Sequence, residues 1–144
     1  MIHNFGEVPL SNIKMLEDRY NTRLPKDYFD FLRSIGGGVV DKSTNEIFIK
    51  GISDTVSIDI LFGINTPYKN ANIELWMDKY YHEIPADTLV IGDSLEHGLF
   101  VLLCSGADAG VYYWDDTYYF AASSDANNTF FVADTFSDFI KQIT

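Results

Sequence analysis

Apolar positions recur with helical spacing in four stretches of the chain. Ile13, Leu16 and Tyr20 mark one face of a first helix, with Ser11 placed to cap it. Tyr28, Phe31, Leu32 and Ile35 follow at i, i+3, i+4 and i+7. Pro25 stands at the start of that second helix, where its missing N–H costs nothing, and Gly36-Gly37-Gly38 stop it. Ile73, Trp76, Met77 and Tyr80 predict a third helix. Phe136, Phe139, Ile140 and Ile143 predict a fourth, capped by Asp134 or Thr135. Between these stretches the pattern becomes that of strands. Residues 46–50 are short and β-branched, and Val56, Ile58, Ile60 and Phe62 alternate with Ser57, Asp59 and Leu61. Residues 88–91 and 99–104 are apolar runs, and residues 92–98 between them read as a hairpin turn. Residues 105–110 read as a second turn into a strand at 111–114. Residues 118–121 and 129–132 are expected to form a last pair of strands around the polar loop 123–128. Consecutive strands favour antiparallel meanders, so the fold class is α+β.

Composition adds the setting. No repeat, low-complexity tract or long linker divides the 144 residues, so a single domain over residues 1–144 is expected. With 47 % apolar and 22 % charged residues the chain has what it needs for a packed core. Residues 1–7 show neither a basic nor an apolar leader segment, and no run reaches membrane-spanning length. Cys104 is the only cysteine, which excludes an internal disulfide and fits a cytoplasmic setting.

Charge changes the picture more. The net charge is −11, and its placement is uneven. Residues 1–80 hold nine Lys/Arg against eleven Asp/Glu, whereas residues 81–144 hold one Lys against ten Asp/Glu. Such a field repels nucleic acid and membrane surfaces and attracts basic partners. By charge alone, a role in solubility is an equal reading.

The candidate chemistry is sparse. The three glycines at 36–38 close a helix where a phosphate loop would open one, and no Gly-Lys-Ser/Thr follows. His3, His82 and His97 lack the spacing of a metal site. Asp93, Glu96 and His97 form a polar turn in which an acid/base or metal role is the sharper alternative. Cys104 ends an apolar strand with no cation near it in sequence, which suits an inert thiol. Asp115 and Asp116, followed by Tyr118 and Tyr119, are turn residues or a carboxylate pair. With Trp114 they offer rigid aromatic anchors beside carboxylates, which is good binding material.

Four ordered segments resemble the SUKH superfamily, the domain shared by a yeast cell-wall-synthesis regulator, herpesviral proteins and many bacterial immunity proteins. They are Leu24-Pro25-Lys26-Asp27-Tyr28 with Phe31-Leu32 and Gly36-Gly37; Ile84-Pro85 leading to Leu89-Val90-Ile91-Gly92-Asp93 with Gly98; Gly110-Val111-Tyr112-Tyr113-Trp114-Asp115; and Ala133-Asp134-Thr135-Phe136-Ser137-Asp138-Phe139-Ile140. Thr135 and Ile140 stand where the family often has Ser and Leu. These motifs shape the fold and include no catalytic set.

The resemblance implies a mixed, largely antiparallel sheet with about four helices packed against it. It also implies a protein-binding role without cofactor or metal, that of an immunity protein neutralising a cognate polymorphic or contact-dependent toxin. A basic nuclease toxin would suit the acidity. The alternatives are a regulatory interaction scaffold like the yeast protein, or an enzyme using the Asp93/Glu96/His97 or Asp115/Asp116 carboxylates. The residues expected to meet the partner are Asp93, Glu96, Asp108, Trp114, Asp115, Asp116, Tyr118 and Tyr119.

Overall fold

The computed structural model describes residues 1–144. Its elements run β1 (Ile2–Asn4), α1 (Leu10–Arg19), α2 (Lys26–Ser34), β2 (Gly38–Val40), β3 (Glu46–Ile49), β4 (Asp54–Leu61), a 3-10 turn (Lys69–Ala71), α3 (Ile73–Tyr80), β5 (Thr88–Ser94), β6 (Leu99–Leu103), β7 (Gly110–Trp114), β8 (Thr129–Ala133) and α4 (Phe136–Lys141). Eight strands form one sheet in the order β1-β2-β4-β5-β6-β7-β8, with β3 paired to the first half of β4. All strand pairs are antiparallel, and one isolated parallel bridge joins Gly63 to Asn72. The fold is thus α+β with four helices, as the pattern of the chain predicts.

Two helices start differently from their sequence cue. The first begins at Leu10, with Pro9 rather than Ser11 at the cap position. Pro9 has φ −59 and ψ 145, and its carbonyl accepts from Ile13 N at 3.3 Å, so ring geometry sets the entry and no side-chain cap is needed. Pro25 plays the same part for α2, one residue outside the helix proper. Behind it, the Asp27 carboxylate accepts from the Ser137 amide at 2.9 Å and its hydroxyl at 3.0 Å. This ties the first turn of α2 to the first turn of α4. Of the two candidate caps for α4, Thr135 serves: its hydroxyl accepts from Asp138 N at 3.0 Å.

The register of the pairs assigns each strand residue to a face. Leu89, Leu102 and Val111 form one row, and Phe100, Tyr113 and Phe130 the next, on the face covered by α2 and α4. Phe139 lies 5.4 Å from Phe100, and Phe136 lies 4.8 Å from Tyr28 and 4.9 Å from Phe31. The opposite face carries Val90, Val101, Tyr112 and Phe131 in one row, with Asp93, Leu99, Trp114 and Thr129 in the next. Helix α3 lies here. The Met77 sulfur accepts from Val90 N at 3.3 Å, and the Tyr80 ring stands edge-on to Trp114 at 5.1 Å. Helix α1 spans the gap between α2 and α3, where Arg19 pairs with Asp78 at 2.7 Å and Glu74 at 3.2 Å. One cluster of 32 buried hydrophobic residues joins these layers.

Three features differ from the expectation. The sheet gains β1 and β2, both too short to show a period. Strand β5 runs on to Ser94 through a bulge between Val90 and Gly92, so the hairpin turn shrinks to residues 95–98. Residues 118–121 are not a strand; they belong to an irregular loop between β7 and β8.

The glycine run has a physical cause. Gly36 and Gly37 hold φ +75 and +83, and a Cβ on Gly37 would lie 2.5 Å from the Leu61 carbonyl oxygen. The run closes α2 and lets β2 turn directly beside β4. Gly37→Ala is therefore expected to lower stability by about 2–3 kcal/mol. Urea unfolding checks this, with a reduced midpoint and an unchanged slope.

Candidate functional site

Helix α3 covers only the middle of its face of the sheet, and a groove of about 670 Å³ stays open beside it over β6 and β7. Strand alternation builds the floor. Val101 and Leu103 come from one side of β6, and Tyr112 and Trp114 from the same side of β7. The chain leaving α3 supplies one wall through Glu83, Ile84 and Pro85. The 105–110 turn brings Asp108 to the far end, while Asn128 and Thr129 border the β8 side. The Tyr112 hydroxyl donates to the Asp108 carbonyl at 2.5 Å, pinning that turn to the floor. Burial, then the charges of Asp108 and Asp134, raise the Tyr112 pKa above its ordinary value.

Close cation partners are missing around the groove, although Lys79 stands near Asp116. Nine Asp/Glu residues lie between Glu83 and Asp134, and none forms an ion pair. All six close ion pairs use acids outside this stretch. The groove is therefore aromatic and apolar below, with unpaired carboxylates at its rim.

The eight sequence-selected residues fall into three places. Trp114 and Asp108 line the groove. Asp116, Tyr118 and Tyr119 sit on the loop after β7, beyond the Trp114 end. Asp116 is half-buried beside Tyr80 and Lys79, and burial followed by the neighbouring Asp115 charge raises its pKa. Tyr118 is 48 % exposed and donates to Asp125 at 2.8 Å; Tyr119 is 58 % exposed and touches the His97 ring.

The other three residues turn inward. Asp115 is fully buried, which corrects its expected place on a binding surface. Its carboxylate accepts from Tyr119 N and Phe120 N, each at 3.0 Å, and from the Ser123 hydroxyl. These donors wind the chain around the carboxylate, and that is why residues 118–121 do not extend into a strand. Glu96 reaches across the hairpin to accept from Ser57 N at 2.5 Å. Asp93 accepts from Ile60 N at 3.0 Å. Each carboxylate thus serves a different backbone amide, and they do not converge on a shared centre. Asp93 shares a sheet row with Trp114, two strand spacings or roughly 10 Å away.

Glu83, Ile84, Pro85 and Tyr112 belong to the groove and lie outside the eight expected residues. Tyr112 was readable, because period two puts it on the face of Trp114. Glu83 had no local signal, since only the packing of α3 brings residues 83–85 over β6 and β7.

Two inward carboxylates generate tests. Asp115→Ala leaves two backbone donors and a hydroxyl without their acceptor and is expected to cost about 2–3 kcal/mol. Faster amide hydrogen exchange at Tyr119 and Phe120 locates the damage. Burial, with Asp59 adding to it, raises the Asp93 pKa from 3.8 to about 6 against the opposing Ile60 hydrogen bond. The folded state therefore holds this proton more tightly than the unfolded chain. That stabilisation is complete below about pH 4 and lost as pH rises through about 6. Asp93→Asn keeps an acceptor without the charge, so its Tm relative to wild type is expected to climb between pH 4 and pH 7.5 in thermal melts.

The fold and its motifs agree with one known family. The chain matches the SMI1 / KNR4 family (SUKH-1) over residues 7–142. No curated protein matches it significantly. None of the helices is long and apolar enough to cross a membrane. The family match takes in α1 through α4 and both strands of the groove floor: the chain belongs to the SMI1 / KNR4 family (SUKH-1), and its fold is that of a SUKH-superfamily domain.

Proposed function

We propose that this protein is an immunity protein that binds a cognate polymorphic or contact-dependent toxin, a basic nuclease, and neutralises it in the cytoplasm. The observation that carries this reading is the open aromatic groove with its unpaired carboxylates. A nuclease must engage phosphate, and a surface built for phosphate is positively charged. An acidic domain competes for that surface, and opposite net charges speed the encounter. Aromatic anchors at the centre supply the contact area once the partners meet. Binding of this kind uses no cofactor, metal or catalytic group.

Partner contacts are assigned to the members of the sequence-selected set at the groove and on the loop beyond it: Asp108, Trp114, Asp116, Tyr118 and Tyr119, with Glu83 and Tyr112 added. Asp93, Glu96 and Asp115 support the backbone that presents them. A second reading is a regulatory interaction domain like the yeast regulator of the superfamily, which the family match supports equally. In that case the same groove takes a signalling or cell-wall protein.

Co-expression with the toxin domain encoded beside this gene separates the two. The expected outcome is rescue of growth and a stable complex. Unchanged toxicity with no complex rejects the reading for that pair. Within a complex, Glu83→Lys with Asp108→Lys is expected to slow association about tenfold or more at low salt and to flatten its salt dependence. Stopped-flow mixing across a salt series measures both.

A further inference from the structure

The groove combines features that select one class of side chain. Tyr112 and Trp114 present two aromatic rings from same-face positions on one strand. Ile84 and Leu103 add apolar surface next to them. Glu83 and Asp108 stand at the rim, both exposed and neither paired with a cation. No Lys or Arg lines the space. An anion is repelled here. A purely apolar segment would cover the carboxylates without giving them hydrogen-bond donors, which is unfavourable. A cation on an apolar stem meets both needs, its stem on the apolar surface and its head at the rim.

Arginine meets them better than lysine. Its guanidinium is flat and weakly hydrated, so it lies on an aromatic face at small desolvation cost. Its donors point outward in the plane and reach a carboxylate while the ring contact is kept. A lysine ammonium holds its hydration more strongly and makes no such stack. The 105–110 turn is held ready for this, because the Tyr112 hydroxyl fixes the Asp108 backbone and leaves the Asp108 carboxylate free.

Resting on the reading of the groove as the partner-binding face, we infer that it is an arginine subsite: an arginine side chain of the bound protein lies on Tyr112 and Trp114 and pairs with Asp108 and Glu83. The subsite belongs to the free protein, so it is testable without the toxin. The chain has two tryptophans, and Trp76 serves as an internal control, since it does not line the groove and its indole N–H donates to Asn70 O at 2.8 Å.

The experiment is an NMR titration of the labelled full chain with capped single amino acids: acetyl-arginine amide, acetyl-lysine amide and acetyl-leucine amide. The Trp114 indole signal is expected to move saturably with the arginine probe while Trp76 stays still. Lysine is expected to bind at least about threefold more weakly, and leucine to produce no saturable shift. The Glu83→Gln, Asp108→Asn double variant is expected to weaken the arginine response about fivefold or more. Equal responses to lysine or leucine overturn the inference, as do arginine shifts spread over the acidic surface without saturation at Trp114. A full-strength toxin complex in a protein whose groove ignores arginine removes the subsite and leaves the neutralisation reading standing. Arginine binding in the groove with no toxin complex does the reverse.

Discussion

Strand β6 is apolar on both of its faces, and the rest of the structure answers that demand. Leu99, Phe100, Val101 and Leu102 are all buried, so neither side of this strand tolerates water. Phe100 and Leu102 are covered by α4 and, through the Phe136–Tyr28 and Phe136–Phe31 contacts, by α2. Fully burying side chains of this size stabilises by about 1.5–3 kcal/mol each. The Asp27–Ser137 hydrogen bonds keep the two helices in step across 110 residues of chain. On the opposite face there is one helix, α3, where the first has two. Helix α3 has eight residues, enough to cover β5 and reach Trp114 but too few to roof β6 and β7 completely. The groove is what remains of an apolar face whose cover stops short.

Acidic residues in the second half of the chain do two different jobs, and only burial separates them. Asp93, Glu96 and Asp115 act as acceptors for backbone amides that have no ladder partner, at a bulge, across a hairpin and inside a loop. Such amides are costly to leave unpaired when buried, so a carboxylate is a good structural residue there. Asp108 and Glu83 face outward and find no cation in the protein. The resulting field is not neutralised internally and acts on what approaches from outside. A protein whose carboxylates were all paired by neighbouring lysines would have the same groove shape without that preference.

How far the sequence could be read follows from the range of each interaction. The period of Ile73, Trp76, Met77 and Tyr80 is set within two helical turns, so α3 was legible. The same holds for Leu99 to Leu103 as a doubly buried strand. Short strands β1 and β2 left no period, because three residues cannot show one. Tyr118 to Ala121 looked like a strand by composition, yet one buried carboxylate three to six residues upstream captured its amides. Ser11 looked like a cap, but Pro9 had already set the entry of the helix by its ring. For the candidate site, Trp114 and Asp108 were legible as an aromatic and an acid near turns. Asp115 looked equivalent to Asp116 until the fold turned one inward.

By itself, the sequence determined the class of the fold, the number of helices, the family and the concentration of negative charge after residue 80. Each of these depends on residue order and local periodicity, or on simple composition. Only the tertiary structure decided which carboxylates face outward, and only it joined Glu83 and Pro85 to Tyr112 and Trp114 in one groove. The reason is geometric: the connection after α3 and the strand β7 are about thirty residues apart along the chain. They meet because β5 and β6 are paired between them and α3 must lie across the sheet to bury its own apolar face.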